Sequence, residues 1–270
     1  MAWRRIVVLL IAALLGSGEA AAAPRDDFSQ AAAAYLVKTG DNVLWEKAAH
    51  KRLPPASLTK VMTALLALES SSLETTVTVR DSAAAESGSR LGLKPGDQLR
   101  VADLLAAALI VSANDACHAL ADHVAGSEAR FVALMNRRAR EWGLRDTHFT
   151  NACGHDHSRH YSSVHDLALL AERALRDEAF AALVALRRLD ISLANGSRHF
   201  SLETRNALIG RLHGATGVKT GYTQRAGKCL IALVERKGVK VLLVMLNAPN
   251  RWWDADEMLN RAFDHAARAS

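Results

Sequence analysis

The sequence predicts an α/β protein of the α+β kind: one antiparallel sheet flanked by helices, with an all-helical lobe inserted at about residues 70–190. Three observations predict it. Apolar runs broken by turn residues lie near both ends of the chain, at residues 33–45 and 229–246. The stretch between them is dominated by apolar positions at helical spacing. The last two runs, 229–234 and 239–246, are joined through a Lys237-Gly238 turn, a link short enough for an antiparallel pair alone.

The elements follow in order. Residues 1–22 read as a signal peptide, because Arg4 and Arg5 precede an unbroken apolar run and alanines close it. A buried helix would leave both arginines without partners. The run falls short of the ~20 residues a spanning helix needs, so cleavage after Ala22 is expected rather than anchoring, in an exported, soluble, periplasmic or otherwise extracytoplasmic protein. Residues 33–37 and 43–45 form a hairpin around Thr39-Gly40-Asp41-Asn42. From Ser57, the positions Leu58, Val61, Met62, Leu65 and Leu66 predict a buried helix entered through Pro54-Pro55. Residues 73–101 are expected as loop and short extended pieces around the turn Lys94-Pro95-Gly96-Asp97. Helices are expected at 101–110 and 114–124, separated at Val111-Ser112-Ala113, and then at 131–142 and 164–175, with an irregular His/Asn-rich segment at 148–163. Strands at 229–234 and 239–246 and a helix at 255–267 close the domain, 23–270.

Half the residues are apolar and 23% charged, the balance of a globular domain. The net charge of +6 is not concentrated in a Lys/Arg run and aromatics are 5% of residues, so no nucleic-acid partner is expected. Cys117, Cys153 and Cys229 show no metal-ligand spacing and read as buried small apolar residues; export permits one disulfide, and three pairings stay open.

Three short motifs carry chemistry. Ser57-Leu58-Thr59-Lys60 is the one Ser-x-x-Lys, and residues three apart share a helix face. A serine hydroxyl is a weak nucleophile until a base takes its proton, and a partly desolvated lysine can serve. A chain of this length gives about one such match by accident, and an ordinary capped helix start is the alternative. Ser112-Ala113-Asn114 lies in the break between two helices, where hydroxyl and amide can face a cleft or simply cap a helix. Lys-Thr-Gly occurs twice. Lys38-Thr39-Gly40 reads as a hairpin turn. Lys219-Thr220-Gly221 follows both other motifs and leads to a strand, where it offers a carboxylate anchor and close backbone approach.

In this order the motifs are the signature of β-lactamases and penicillin-binding proteins. The surrounding sequence resembles the low-molecular-mass penicillin-binding proteins, the D-alanyl-D-alanine carboxypeptidases, through residues 55–64, Val111-Ser112-Ala113-Asn114-Asp115-Ala116, His160-Tyr161-Ser162-Ser163 and Gly217-Val218-Lys219-Thr220-Gly221-Tyr222-Thr223. The resemblance implies a β-lactamase/transpeptidase-like fold and a serine peptidase that removes the terminal D-alanine from peptidoglycan stem peptides ending in D-Ala-D-Ala, with β-lactam antibiotics as covalent inhibitors. It assigns Ser57 as nucleophile, Lys60 as general base and Ser112 as proton relay. Asn114 would hold the substrate amide, Lys219 and Thr220 its carboxylate, and the N–H groups of Ser57 and Tyr222, beside Gly221, the oxyanion. Arg251 matches a further carboxylate contact, with an exposed loop arginine as the alternative. No cofactor or metal is implied. The larger family members carry a C-terminal β-rich domain and an amphipathic anchor; neither is expected here.

His155 stands where the family usually has leucine, and Cys117 where alanine is usual. His155, His157, His160 and His165 form a histidine-rich stretch matching no zinc motif, read as a solvated loop. Glu257-Met258-Leu259-Asn260 echoes the glutamate loop of class A β-lactamases but follows Lys-Thr-Gly and reads as the final helix. A β-lactamase would carry Ser-Asp-Asn where this chain has Ala113. A D,D-endopeptidase cutting cross-links is the alternative activity, and a non-catalytic wall-binding protein has no need of Ser57, Lys60, Ser112 and Lys219 together.

Overall fold

The computed structural model describes residues 26–269, so the expected signal peptide lies outside the described residues. Strands β1 (Ala34–Thr39) and β2 (Asn42–Lys47) lead through a 3-10 turn (Ala56–Thr59) into α1 (Lys60–Ser70). Then come β3 (Thr76–Thr78), α2 (Asp81–Ala84), β4 (Gln98–Arg100), α3 (Val101–Ile110), α4 (Asn114–Ala125), α5 (Glu128–Glu141), α6 (Val164–Ala174) and α7 (Glu178–Ala185). The hairpin β5 (Arg188–Ser192) and β6 (His199–Glu203) precedes β7 (Ala215–Thr223), β8 (Gly227–Arg236), β9 (Val239–Leu246) and α8 (Arg251–Ala269).

The main sheet runs β2-β1-β9-β8-β7 and is antiparallel throughout, so β1 pairs with the last strand and both ends of the domain share one sheet. Successive strand side chains point to opposite faces. Leu242, Val244 and Leu246 enter the core shared with α1, α3, α4 and α6, whereas Val241, Leu243 and Met245 enter a second core with Ala255, Met258, Leu259 and Ala262 of α8. With both faces covered, the strands read as unbroken apolar runs. Strand β7 is left at the edge, and its free side faces the turn that carries Ser57.

Three local expectations change. The serine does not open an α-helix: residues 56–59 form a tighter 3-10 turn, held by Thr59 Oγ1 donating to the Ala56 carbonyl at 2.8 Å, and α1 begins at Lys60. The last helix starts at Arg251, four residues before the first expected position, because Trp252 and Ala255 already pack on the second core. The hairpin β5–β6 and helix α7 were not anticipated; Leu189 and Ile191 alternate with Arg188 and Asp190, a signal present but only five residues long.

Candidate active site

Ser57 is half-buried on the 3-10 turn and Lys60 is fully buried at the first position of α1. The lysine ammonium lies 3.1 Å from Ser57 Oγ, 2.7 Å from Asn114 Oδ1 and 2.7 Å from the Cys153 carbonyl oxygen. Three acceptors around one ammonium fix its position in all directions, which a single partner could not do. Asn114, first residue of α4, is oriented in turn by donating Nδ2 to the Ser87 carbonyl at 2.6 Å. The first two motifs are thus joined by direct hydrogen bonds.

Ser112 is buried in the tight link between α3 and α4, with φ at +63°. Ala56, beside the serine, has φ at +50°. Left-handed backbone at non-glycine residues is costly and concentrates where surrounding structure dictates a functional geometry. Here the link is pinned by Ala113 N–H on the Ala107 carbonyl, Asn114 N–H on the Ser89 carbonyl and Ser89 Oγ on the Val111 carbonyl.

The third motif lies on the edge strand β7, on the side that meets the turn carrying Ser57. Lys219 is 2% exposed and donates to its neighbour's carbonyl at Thr220, 2.9 Å away. Burial pushes this ammonium well below the ordinary lysine range, and the charges of Lys60, Arg205 and Arg251 add to the effect. A Cβ on Gly221 would stand 3.1 Å from Ser57 N, so glycine lets the strand come against the turn that carries Ser57. Thr220 is buried, whereas the Tyr222 side chain is 65% exposed, leaving only its backbone for the site. Arg251 is not an exposed loop residue: it opens α8 half-buried, and Nη1 donates to the Gly221 carbonyl at 2.7 Å and the Cys229 carbonyl at 3.1 Å. It braces the strand that carries Lys219.

Several supporting residues were missed from sequence. Asn151 Oδ1 accepts the N–H groups of Cys153, Gly154 and His155, folding the turn that presents the Cys153 carbonyl to Lys60. His160, buried rather than in a solvated loop, lies under the turn that carries Ser57, with Nε2 2.9 Å from Thr59 Oγ1 and Nδ1 accepting from Thr150 N. Burial, with neighbouring histidine charge, pushes it down to about 4. The four histidines of the rich stretch do not converge: His155 meets Glu86, His160 meets Thr59, His165 meets Asp166, and His157 accepts from the Arg159 N–H. Among the described residues, Glu86, His118 and Glu128 bring one ligand atom each within 4.8 Å of one another, but the Glu86 oxygens already sit at hydrogen-bond distance from two imidazoles. All three cysteines are buried and unbridged.

A family model described as D-alanyl-D-alanine carboxypeptidase matches residues 19–250. The chain belongs to the D-alanyl-D-alanine carboxypeptidase family. Among curated members it is 38% identical to the carboxypeptidase DacF of Bacillus subtilis over 226 residues, covering 81% of this chain and 58% of that one. The chain thus spans little more than half of that relative's length. Among solved structures of the family's fold it is similar to a Streptomyces DD-transpeptidase (TM-score 0.81, 30% identity, 87% of this chain and 97% of that one). It is likewise similar to the carboxypeptidase DacD of Francisella tularensis (TM-score 0.78, 26% identity, 95% of this chain and 71% of that one). Cys117 and His155 both adjoin the segment that carries Cys153: Cys117 Sγ donates to the Ala152 carbonyl, and His155 follows Gly154. Among the described residues no helix is long and apolar enough to cross a membrane.

Proposed function

We propose that the chain is an exported serine D-Ala-D-Ala carboxypeptidase acting on peptidoglycan stem peptides, with Ser57 as nucleophile. The observation that carries the reading is the 3.1 Å approach of Lys60 Nζ to Ser57 Oγ, held by Asn114 and Cys153 in a buried pocket. Once Lys60 has lost a proton, it accepts the Ser57 hydroxyl proton as Oγ attacks the penultimate D-alanyl carbonyl. The developing oxyanion is met by the N–H groups of Ser57 and Tyr222 at the junction of turn and edge strand. Ser112 delivers the proton to the departing D-alanine, and water later hydrolyses the acyl-serine. An incoming carboxylate stabilises the Lys219 cation that burial disfavours, and Thr220 adds a hydroxyl. Arg251 acts on this site through Gly221.

The test is intact-mass spectrometry of the mature protein with a penicillin and then with a pentapeptide ending in D-Ala-D-Ala. A stable adduct on Ser57 together with loss of one alanine from the peptide is expected. Ser57→Ala abolishes both while the fold persists, and Lys219→Ala weakens turnover of free-carboxylate substrates far more than of a carboxylate-blocked one. An adduct without alanine release would point to the endopeptidase. Absence of any adduct would overturn the serine mechanism.

A further inference from the structure

One carboxylate ties together the two segments that orient Lys60. Glu86 follows α2 and its side chain is only 10% exposed. One of its oxygens lies 2.7 Å from His118 Nδ1 on α4, and the other 2.7 Å from His155 Nε2 in the turn after Gly154. Both joined segments reach into the Lys60 pocket. The residue after Glu86 supplies the carbonyl that holds Asn114 Nδ2, and Ser89 supplies the carbonyl that holds Asn114 N–H. On the other side, two residues before His155, Cys153 supplies the carbonyl that accepts from Lys60. Asn114 and Cys153 are two of the three partners of the lysine, so the spacing between these segments sets where Nζ stands relative to Ser57 Oγ.

We propose that Glu86 is a positioning residue for serine acylation, clamping the Ser87–Ser89 loop to the Cys153–His155 turn through His118 and His155. The inference rests on the serine mechanism above. The clamp has a polarity. Three carboxylates face His118: Glu86, Asp122, whose Oδ1 is 3.7 Å from Nε2, and Glu128, which accepts the Ala152 N–H. Lys60 and Cys117 lie on the pocket side. Burial alone would lower the His118 pKa, but the Glu86 hydrogen bond and the surrounding carboxylates raise it above the ordinary value. Burial likewise opposes the Glu86 charge, yet its two imidazole partners hold the carboxyl down at about 2. The clamp is therefore a charged pair from above the Glu86 value up to the raised His118 value. When pH rises past the raised His118 value, Nε2 loses its proton, its lone pair faces Asp122, and the clamp weakens. The geometry joins chemistry that this sequence carries on three separate segments.

The experiment measures acylation by a fluorescent penicillin across pH, separating the covalent step from pre-covalent binding. The proteins are the wild type, Glu86→Gln, which keeps the shape but not the charge, His155→Leu, and the outlying His157→Gln as control. Glu86→Gln is expected to slow the covalent step roughly 10- to 100-fold, as small misplacements of a catalytic group do, with binding unchanged. The part of the alkaline decline that follows His118 is expected to disappear from the covalent step in this variant, whereas the part that follows Lys219 remains in both proteins, and His157→Gln matches the wild type. If Glu86→Gln does not fold, His155→Leu decides, since its imidazole is 37% exposed and the Glu86 carboxylate keeps its bond to His118 when it is removed. Unchanged covalent rates and pH profile in the folded variants overturn the clamp. Failure of the wild type to form any adduct instead overturns the serine mechanism on which it rests.

Discussion

Lys60 illustrates how much of this site is decided by single hydrogen bonds. Its pairing with Ser57 was legible, because a three-residue spacing puts both on one side of a helical turn. Its pairing with the Cys153 carbonyl was not, because a backbone acceptor 93 positions away leaves no mark on residue type. His160 is the same kind of residue: it supports the turn that carries Ser57 from below, as an uncharged ring whose Nδ1 accepts from Thr150 N–H and whose Nε2–H donates to Thr59 Oγ1. Its folded value is about 4 against an ordinary 6.5, so protonation favours the unfolded chain. The stability it protects is present above pH 6.5, falls as the solution is acidified toward 4, and levels off below that. The difference corresponds to about 3 kcal/mol. Denaturant unfolding of wild type and His160→Asn over this window is expected to give a steep acid decline for the first and a shallower one for the second; parallel curves would refute the assignment.

Elements meet in this protein where side chains are absent. The turn carrying Ser57 is squeezed between Gly221 of β7 on one side and Gly154 on the other. Gly154 has φ at +92°, and a Cβ there would collide with the Ala56 carbonyl. Gly154→Ala therefore combines an unfavourable backbone conformation with a clash against main chain that cannot rotate away. The expected loss is about 2–5 kcal/mol in stability with acylation sharply reduced, read by thermal denaturation and penicillin labelling of the same sample. A wild-type labelling rate in this variant would show that the turn has slack. The sequence displayed Gly154 inside an irregular segment, but not the partner it must approach.

The whole domain separates stability from chemistry by placing them on different faces of one sheet. The core between sheet and helical lobe contains α1 and adjoins the Lys60 pocket, whereas the core under α8 contains no residue of the three motifs. Leu259, fully buried in that second core, can be shortened without touching Ser57 or its partners. Leu259→Ala is expected to cost about 2–5 kcal/mol and lower Tm by roughly 5–15 °C. Acylation of the protein still folded at low temperature should stay at the wild-type rate. A matching fall in the acylation rate would mean that the two cores are mechanically coupled.

By itself the sequence determined the fold class, the two hairpins that end in one sheet, the main helices, and the three motifs in their order. Each is written in local pattern: apolar periodicity, turn residues and residue types at short spacing. The two Lys-Thr-Gly copies were already separable by their neighbours in the chain, but only the tertiary structure decided how closely Gly221 comes to Ser57, and that Arg251 grips β7 instead of standing in solvent. It also decided that His155 joins Glu86 and His118 beside the lysine pocket. These outcomes depend on contacts between segments far apart in the chain, where chain connectivity gives no distance and burial, not residue type, sets the energy of each charge.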